Sequence, residues 1–284
     1  MTNGRPSRIC LYDGVAQAWF SVAAIKEFLV HWLPGVKVEF RDDPLVLFPG
    51  EGGCRACRDI AIAELSARLC RMRVFDPAHE VGQRSHDALK PEMDYESRLL
   101  LGMGRAAPSI AYDGDELQRI ALRLLPRTER GTDTFHVWFT ERLIATWDQD
   151  DRRYHARVSV YGTPSIVSTS GMMQAPARER GYYVARRLGL GSGPALAEAP
   201  DGSLGREDPR LTEIAKGYAM QAVFYGLTGE PFCDDPRCRL FNAHWQREML
   251  AAQLREGEEF CPRHLEQLAA WRTTFAHKEV LSTS

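Results

Sequence analysis

Two short pairs of potential metal ligands near the C-terminus constrain the fold of this chain more than any other feature. Four residues separate Cys233 from Cys238, two separate Cys261 from His264, and 22 residues lie between the two pairs. A short spacing turns two side chains toward one point, and two such pairs form a common ligand set for tetrahedral zinc. The segment therefore has to fold back on itself so that all four side chains meet.

A set of three cysteines and one histidine leaves no coordination position open, which is typical of structural zinc sites. We therefore predict a zinc ion held by Cys233, Cys238, Cys261 and His264. Prolines and aspartates surround the first pair and favour the turns that it needs. The ion would hold the end of the chain in place and contribute to the free energy of folding.

The composition is that of an ordinary globular protein, with 44% apolar residues, 26% charged residues and a net charge of -2. No run of lysine and arginine indicates a nucleic-acid partner. No apolar run reaches the ~18 residues of a membrane span, and the first residues lack the apolar stretch of a secretory signal. We therefore expect a cytoplasmic protein, where thiols stay reduced and clustered cysteines bind metal more often than they form disulfides.

The first part of the chain alternates between strand-like and helix-like patterns. Arg8–Tyr12 has the pattern of a short buried strand, Ala16–Val30 that of an amphipathic helix, and Val36–Phe40 that of a second strand. The order strand, helix, strand predicts a βαβ unit and a mainly parallel sheet.

The middle of the chain continues this α/β pattern. We interpret the polar stretch Asp76–Glu96 as a loop or irregular insertion. Three further strands are predicted at Phe135–Thr140, Arg157–Tyr161 and Ser165–Thr169. A helix is predicted to begin at Asp208 and Pro209 and to run to about Leu227. We expect an α/β domain over residues 1–228 and a zinc-binding subdomain over residues 229–284.

The segments FCDDPRC and EEFCPRH resemble the C-terminal half of the archaemetzincin motif. In that family of zinc metallopeptidases, HExxHxxGxxH runs directly into Cys-x4-Cys and is followed by Phe-Cys-x2-Cys. His264 stands at the position of the last cysteine, and Leu240 at that of the Met-turn methionine. The resemblance covers Gly226–Leu268 and implies a metzincin-like fold with a mixed sheet and helices. Strings such as FNAHWQ also resemble an uncharacterised metallopeptidase-like family without HExxH.

The catalytic half of that motif is absent. A zincin needs two histidines at i and i+4 on a helix, a glutamate that takes a proton from the metal-bound water, and a third ligand. Aligned on Gly226, the histidine, glutamate and histidine positions hold Ala219, Met220 and Val223; aligned on Cys233, they hold Ala222, Val223 and Gly226, with Phe232 as third ligand. Neither alignment supplies a ligand, so Glu213–Leu227 is predicted to be an apolar core helix.

Two functions remain open from the sequence. The first is a catalytically degenerate metallopeptidase homologue that binds a peptide or another ligand in the old cleft. The second is an active metal-dependent hydrolase whose ligands come from His136, His155, His244 and acids brought together by folding. His244 and Glu248, at i and i+4 on one predicted helix face, could form such an unorthodox pair. The first is favoured because the helical ligands and the general base are absent together.

A second cysteine pair, Cys54 and Cys57, lies at the start of a predicted helix. The helix N-terminus and the neighbouring Arg55 and Arg58 would lower the pKa of a thiol there and make it reactive. No thioredoxin-like pattern surrounds the pair, so ordinary half-buried thiols are the favoured interpretation.

Overall fold

The structure is a computed structural model, and it describes residues 6–46, 55–81, 88–187 and 204–282. The strands are β1 (Arg8–Gly14), β2 (Lys37–Asp42), β3 (Arg73–Val74), β4 (Ala111–Asp113), β5 (Thr134–Thr140), β6 (Leu143–Asp148), β7 (Arg153–Arg157), β8 (Ser159–Val160) and β9 (Ser165–Ser168). The helices are α1 (Val22–Trp32), α2 (Arg55–Arg71), α3 (Lys90–Leu100), α4 (Gly114–Leu124), α5 (Thr169–Gln174), α6 (Arg180–Arg187), α7 (Arg210–Thr228), α8 (Gln246–Gln253) and α9 (Pro262–Ser282).

The larger sheet has five strands in the order β2-β1-β5-β9-β8. Strand β1 lies between β2 and β5 and pairs in parallel with both, so that Arg8 stands opposite Lys37 and Thr134. Strand β9 continues the parallel arrangement beside β5, and β8 runs antiparallel at the edge. The predicted βαβ unit and the mainly parallel sheet are confirmed.

A second, smaller sheet has the order β3-β4-β6-β7 and mixes parallel and antiparallel pairs. The sequence did not predict β6, which forms a hairpin with β7 across a turn in which Arg152 has a φ of +50°. The strand predicted at Arg157–Tyr161 is divided between the end of β7 and β8. The α/β class with mixed pairing is therefore confirmed, with two mixed sheets where one was expected.

Two helix boundaries differ from the prediction for local reasons. Helix α1 begins at Val22 rather than Ala16, because the Ser21 hydroxyl accepts the N–H of Ala24 at 3.1 Å and caps the helix there. Helix α3 lies partly in the stretch interpreted as a loop. Proline in its first turn and the Glu92 carboxylate, which accepts the N–H of Leu89 at 2.9 Å, favour a helix start.

The five-stranded sheet is buried on both faces, which explains the continuous apolar run in β1. One face packs on α1 and α7, and Cys233, Cys238 and Phe260 of the C-terminal segment belong to the same cluster. The end of the chain therefore shares its core with the sheet, while the division at residue 228 stays a prediction.

The other face of the sheet packs on α2, α4 and the smaller sheet. Tyr12, Trp138 and Ile166 point to this side, while their strand neighbours point to the first core. Among the described helices, none has the length and apolarity to cross a bilayer.

Candidate metal centre

The four predicted ligands lie together, and their ligand atoms are all within 4.8 Å of one another. The Sγ atoms of Cys233 and Cys261 are 3.8 Å apart, and His264 Nδ1 is 3.5 Å from Cys238 Sγ and 3.1 Å from Cys261 Sγ. Two sulfurs that share a tetrahedral zinc ion at ~2.3 Å are ~3.8 Å apart, whereas disulfide sulfurs are ~2.05 Å apart. The spacing therefore fits a shared ion, and the three cysteines are free thiols.

A closed turn directs the first pair inward. The N–H of Cys233 donates to the carbonyl of Leu240 at 2.9 Å, and the N–H of Cys238 donates to that of Asp235 at 3.0 Å. The N–H of Asp235 also points to the Cys233 sulfur at 3.4 Å. These bonds bring the two thiols to one side of the loop, as the turn-forming residues around them predicted.

The second pair uses the first turn of α9. Cys261 immediately precedes the helix, Pro262 is its first residue, and the N–H of His264 donates to the Cys261 carbonyl at 3.0 Å. One turn of helix therefore aligns sulfur and imidazole. The partial positive charge of the helix N-terminus favours thiolates at this point.

Burial controls the charge of the ligands. Cys233, Cys238 and His264 are buried, and Cys261 is half-buried. Burial raises the pKa of the Cys233 thiol and raises the pKa of Cys238 to about 12. Burial, with a smaller effect of Arg263, lowers the pKa of His264 to about 4. A neutral imidazole is ready to bind metal, and the thiols need a cation before they ionise, which suits a soft divalent ion such as zinc.

Helix α7 supplies an apolar wall to this cluster. The ring of Phe224 meets the His264 imidazole edge to face, with centroids 5.0 Å apart, and Nδ1 is the nitrogen that faces the sulfurs. The sequence did not predict this contact of Phe224, because one apolar residue in an apolar helix does not reveal which distant side chain it packs against.

The structure confirms that α7 is a core helix. Ala219, Met220, Ala222 and Val223 are buried. Gly226 lies so close to the Phe135 ring that a Cβ atom there would be 2.5 Å from it. Among the described residues, no group of three or more metal-binding side chains includes a residue of this helix.

The structure does not bring together the three histidines of the hydrolase hypothesis. Buried His136 donates from Nε2 to the Glu129 carbonyl at 2.7 Å and accepts from the Tyr12 hydroxyl at 2.9 Å, so both of its nitrogens are engaged. His155 lies on β7, and His244 is exposed. Within the part of the chain that is described, no candidate metal group combines two of these histidines.

The predicted helix face shared by His244 and Glu248 is wrong. Helix α8 begins at Gln246, so His244 precedes it. The Glu248 carboxylate instead accepts the backbone N–H groups of Trp245 and His244 at 3.1 and 3.2 Å and caps the helix. A glutamate three residues after the N-cap residue, here Trp245, is the known signal for this cap.

One further group of ligand-type atoms, from Asp148, Asp151 and His155, lies at the tip of the β6–β7 hairpin. The Asp148 carboxylate accepts the N–H of Asp151 at 3.0 Å, which makes it part of the turn. Cys54 lies outside the described residues, as does the side chain of Cys57, so the hypothesis of a reactive pair stays a prediction.

Three comparisons with known proteins complete the description. A family model described as a family of unknown function (DUF7001) matches residues 10–267. No curated protein matches the sequence. The crystal structure of a zinc-dependent peptidase from Methanocorpusculum labreanum (strain Z) is similar with a TM-score of 0.40 and 14% identity, over 92% of this chain and 99% of that one. A likeness that distant transfers neither site nor activity.

Proposed function

This chain belongs to the family of unknown function DUF7001, and we propose that it is a zinc-stabilised, metallopeptidase-like protein that binds a peptide or another ligand without hydrolysing it. The observation that carries the proposal is the convergence of three sulfurs and one imidazole nitrogen within 4.8 Å. The archaemetzincin resemblance of the same segment supplies the relationship to metallopeptidases.

Zinc at this cluster would have a structural role. Cys233, Cys238, Cys261 and His264 together fill a tetrahedral shell, so no position is left for a reactive water. A bound ion would stabilise the thiolates and join the 233–242 turn to the start of α9. That role contributes folding free energy and requires no catalysis.

The apolar character of α7 supports a non-hydrolytic function. Zincin chemistry needs ligands and a general base on this helix, where Ala219, Met220 and Val223 are buried in the core. Without hydrolysis, the cleft that holds the substrate in a metallopeptidase would serve in this protein to bind a ligand.

A surface beside α7 supports peptide as the class of ligand. Tyr161 contacts the rings of Tyr225 and Phe232, each with centroids 5.8 Å away, and Tyr225 and Phe232 are 38% and 41% exposed. Strand β8, directly before Tyr161, lies at the edge of the sheet. An edge strand next to exposed aromatic rings suits an extended peptide, which adds main-chain hydrogen bonds and places side chains on the rings.

Metal analysis of wild type and Cys233→Ser tests the zinc assignment. We expect one zinc ion per chain in wild type and its loss in the variant. Cys70→Ser is the matched control, because Cys70 is also a buried free thiol but lies on α2 and is not part of the zinc cluster. If Cys233→Ser keeps both its zinc and its melting temperature, the structural site is wrong.

Incubation of the zinc-loaded protein with unstructured peptides tests the absence of hydrolysis. We expect no cleavage, but binding that weakens in Phe232→Ala and persists in Tyr183→Ala, a control that removes another exposed aromatic ring. Cleavage that disappears in His155→Ala or His244→Ala would support the hydrolase instead.

A further inference from the structure

A second, unassigned site lies at the carboxyl ends of the parallel strands. A cleft of ≈ 760 Å³ opens there, between the ends of β1, β2 and β5 and the loop after α3. Helix α1 leads from β1 to β2 on one side, and β5 lies on the other side of β1, so the connections diverge at this point. Open α/β sheets bind ligands at such switch points. The polar side chains that matter here are Asp13, Asp43, Arg105, Glu141 and Arg142.

Two aspartates present free acceptor atoms to the cleft. Asp13 Oδ1 accepts the N–H groups of Val15 and Ala16 at 3.1 and 2.7 Å, and Asp43 Oδ1 accepts that of Leu45 at 2.9 Å. Among the described residues, neither Oδ2 atom receives a hydrogen bond. Glu141 differs, because the Arg105 guanidinium binds both of its oxygens. The excess negative charge of the cleft therefore sits on these two aspartates and on the exposed Asp42 beside them.

Two buried side chains present donors at the same place. The Arg142 side chain is only 6% exposed, and its guanidinium makes a single hydrogen bond within the described residues, from Nη1 to Glu96 at 2.8 Å. Trp138 is fully buried, and its Nε1 has no hydrogen-bond partner. Buried polar atoms without hydrogen-bond partners are rare. The unpaired N–H of Trp138 therefore points to an acceptor that a bound ligand supplies.

Gly14 allows a close approach of the Trp138 indole and the Asp43 carboxylate to the backbone at the edge of the cleft. A Cβ atom on Gly14 would lie 2.6 Å from both Trp138 Nε1 and the Phe139 carbonyl oxygen, and 2.9 Å from Asp43 Oδ2. The unpartnered indole N–H and the free carboxylate oxygen thus lie beside the same glycine, which lines the cleft. A ligand group that binds beside Gly14 is therefore close to a donor and an acceptor.

This pairing selects the chemistry of the ligand. An anion would meet Asp13 and Asp43, while a simple cation would leave the N–H groups of Trp138 and Arg142 without acceptors. A metal ion is disfavoured because these aspartates are not part of any converging group of ligand atoms in the described residues. An ammonium group with a carbonyl oxygen on the next carbon satisfies both sets, since ammonium donates three hydrogen bonds and the oxygen accepts.

We propose that the cleft between Asp13, Asp43 and Arg142 binds the α-ammonium group and the adjacent carbonyl or carboxylate oxygen of a free amino acid or a peptide amino terminus. Asp13 and Asp43 take the ammonium, and Trp138 Nε1 and Arg142 take the oxygen. The site shares no residue with the zinc cluster or with the aromatic surface on β8 and α7, so it stands independently of the function proposed above.

Calorimetric titration of the full-length, zinc-loaded protein tests the proposal. The probes are the free proteinogenic amino acids, short peptides with free amino termini and the same compounds after N-acetylation. We expect binding that N-acetylation abolishes and that an alkylamine without a carbonyl group does not reproduce. Peptides that bind more tightly than free amino acids identify an amino terminus as the ligand, and the reverse order identifies an amino acid.

Two isosteric variants locate the binding. Asp43→Asn and Asp13→Asn each keep the shape but remove a charge partner, so each should weaken binding by at least about tenfold. Asp94→Asn, an exposed aspartate on α3, should leave it unchanged. Circular dichroism and zinc content establish that each variant is folded. If only one of the two aspartate variants folds, that variant alone is enough to test the site.

Four outcomes would overturn the inference. The first is no binding of any probe up to about 10 mM, a concentration that detects even a very weak site. The second is equal binding of acetylated and free forms. The third is undiminished binding by a folded aspartate variant. The fourth is displacement of the probe by Mg²⁺ or Ca²⁺.

Discussion

His264 is the one nitrogen atom donor among the four potential zinc ligands, and its surroundings prepare it for that role. Its imidazole is buried, packs on Phe224 and has a pKa lowered to about 4 by burial and by Arg263. It is therefore neutral at physiological pH, with Nδ1 facing the sulfurs of Cys238 and Cys261. We therefore expect this position to tolerate substitution by another zinc-binding side chain better than substitution by a side chain that cannot bind zinc.

His264→Cys should keep its zinc, while His264→Ala should lose it. A thiolate binds zinc at ~2.3 Å and an imidazole at ~2.0–2.1 Å, so the first change creates a four-cysteine set. Loss of roughly 3 kcal/mol in His264→Ala would lower the melting temperature by about 6–12 °C in a chain of this size. Zinc content and calorimetry measure both effects. Full zinc retention in His264→Ala would exclude the imidazole as a ligand.

Asp43 predicts a pH-dependent stability. Burial and the neighbouring Asp13 raise its pKa to about 6, although the N–H of Leu45 and the Arg142 charge oppose this. The folded state therefore binds a proton more tightly than the unfolded state, where the pKa is ~3.9. Relative to a neutral residue, Asp43 costs nothing below pH ~4, destabilises the fold progressively as the pH rises from ~4 to about 6, and keeps that full cost above pH 6.

Asp43→Asn should consequently be more stable than wild type at pH 7.5, by about 1–3 kcal/mol, and the difference should shrink as the pH falls toward 5. Denaturant unfolding of both proteins across this range measures it. Because both carry the same zinc site, its own response to acid cancels in the difference. A difference that is constant with pH would mean that Asp43 has an ordinary pKa.

Among the helices, α7 connects the two parts of the molecule. It packs on α1 and the five-stranded sheet, places Phe224 against His264, and ends at Gly229, whose φ of +80° is the usual left-handed helix stop. An apolar helix of this kind gains its stability from burial on all sides. This burial explains why catalytic side chains would not fit there without polar partners.

Helix α8 depends on a single side chain at its start. Glu248→Ala removes the acceptor for the N–H groups of His244 and Trp245 and should cost about 1 kcal/mol, or about 2–4 °C in melting temperature. The zinc content should not change. Glu256→Ala, which alters an exposed glutamate beyond the end of the helix, is the control and should be neutral. Equal effects of the two changes would show that the cap contributes nothing.

At the scale of the whole molecule, the C-terminal segment is joined to the first helix. The Trp32 indole donates to Glu259 at 2.8 Å, and the Arg272 guanidinium donates to the His31 carbonyl at 2.8 Å. Both cores meet at the five-stranded sheet. A change at the zinc cluster should therefore alter the stability of the chain beyond residues 229–284.

Removal of zinc by a strong chelator should lower the melting temperature of the whole protein in one transition. Hydrogen exchange should then increase in α1 and α7 together with α9, because the three helices share one core. Two separate transitions, with only the C-terminal segment melting early, would instead support the predicted subdomain boundary at residue 228. The control is the zinc-loaded protein without chelator, in a buffer of the same ionic strength.

The sequence predicted the central βαβ unit because apolar runs as clear as that of β1 survive any tertiary context. The sequence did not predict β6, because the order of apolar and polar residues in this strand is explained only by its pairing with β4 and β7. It also missed the strand-end cleft, although Asp13 directly follows a predicted strand and Asp43 comes three residues after the next one, which could have signalled it. Arg142 and Trp138 gave no such signal.

By itself, the sequence determined the ligand types and the spacing within each metal-binding pair, as well as the lack of ligands on the Glu213–Leu227 helix. These are local properties, since a few residues of chain set the geometry of a turn. Only the tertiary structure decided that the two pairs meet, that His136, His155 and His244 do not form one site, and that Asp13 and Arg142 share a cleft. Distant residues come together only through strand order and packing, which no local pattern encodes.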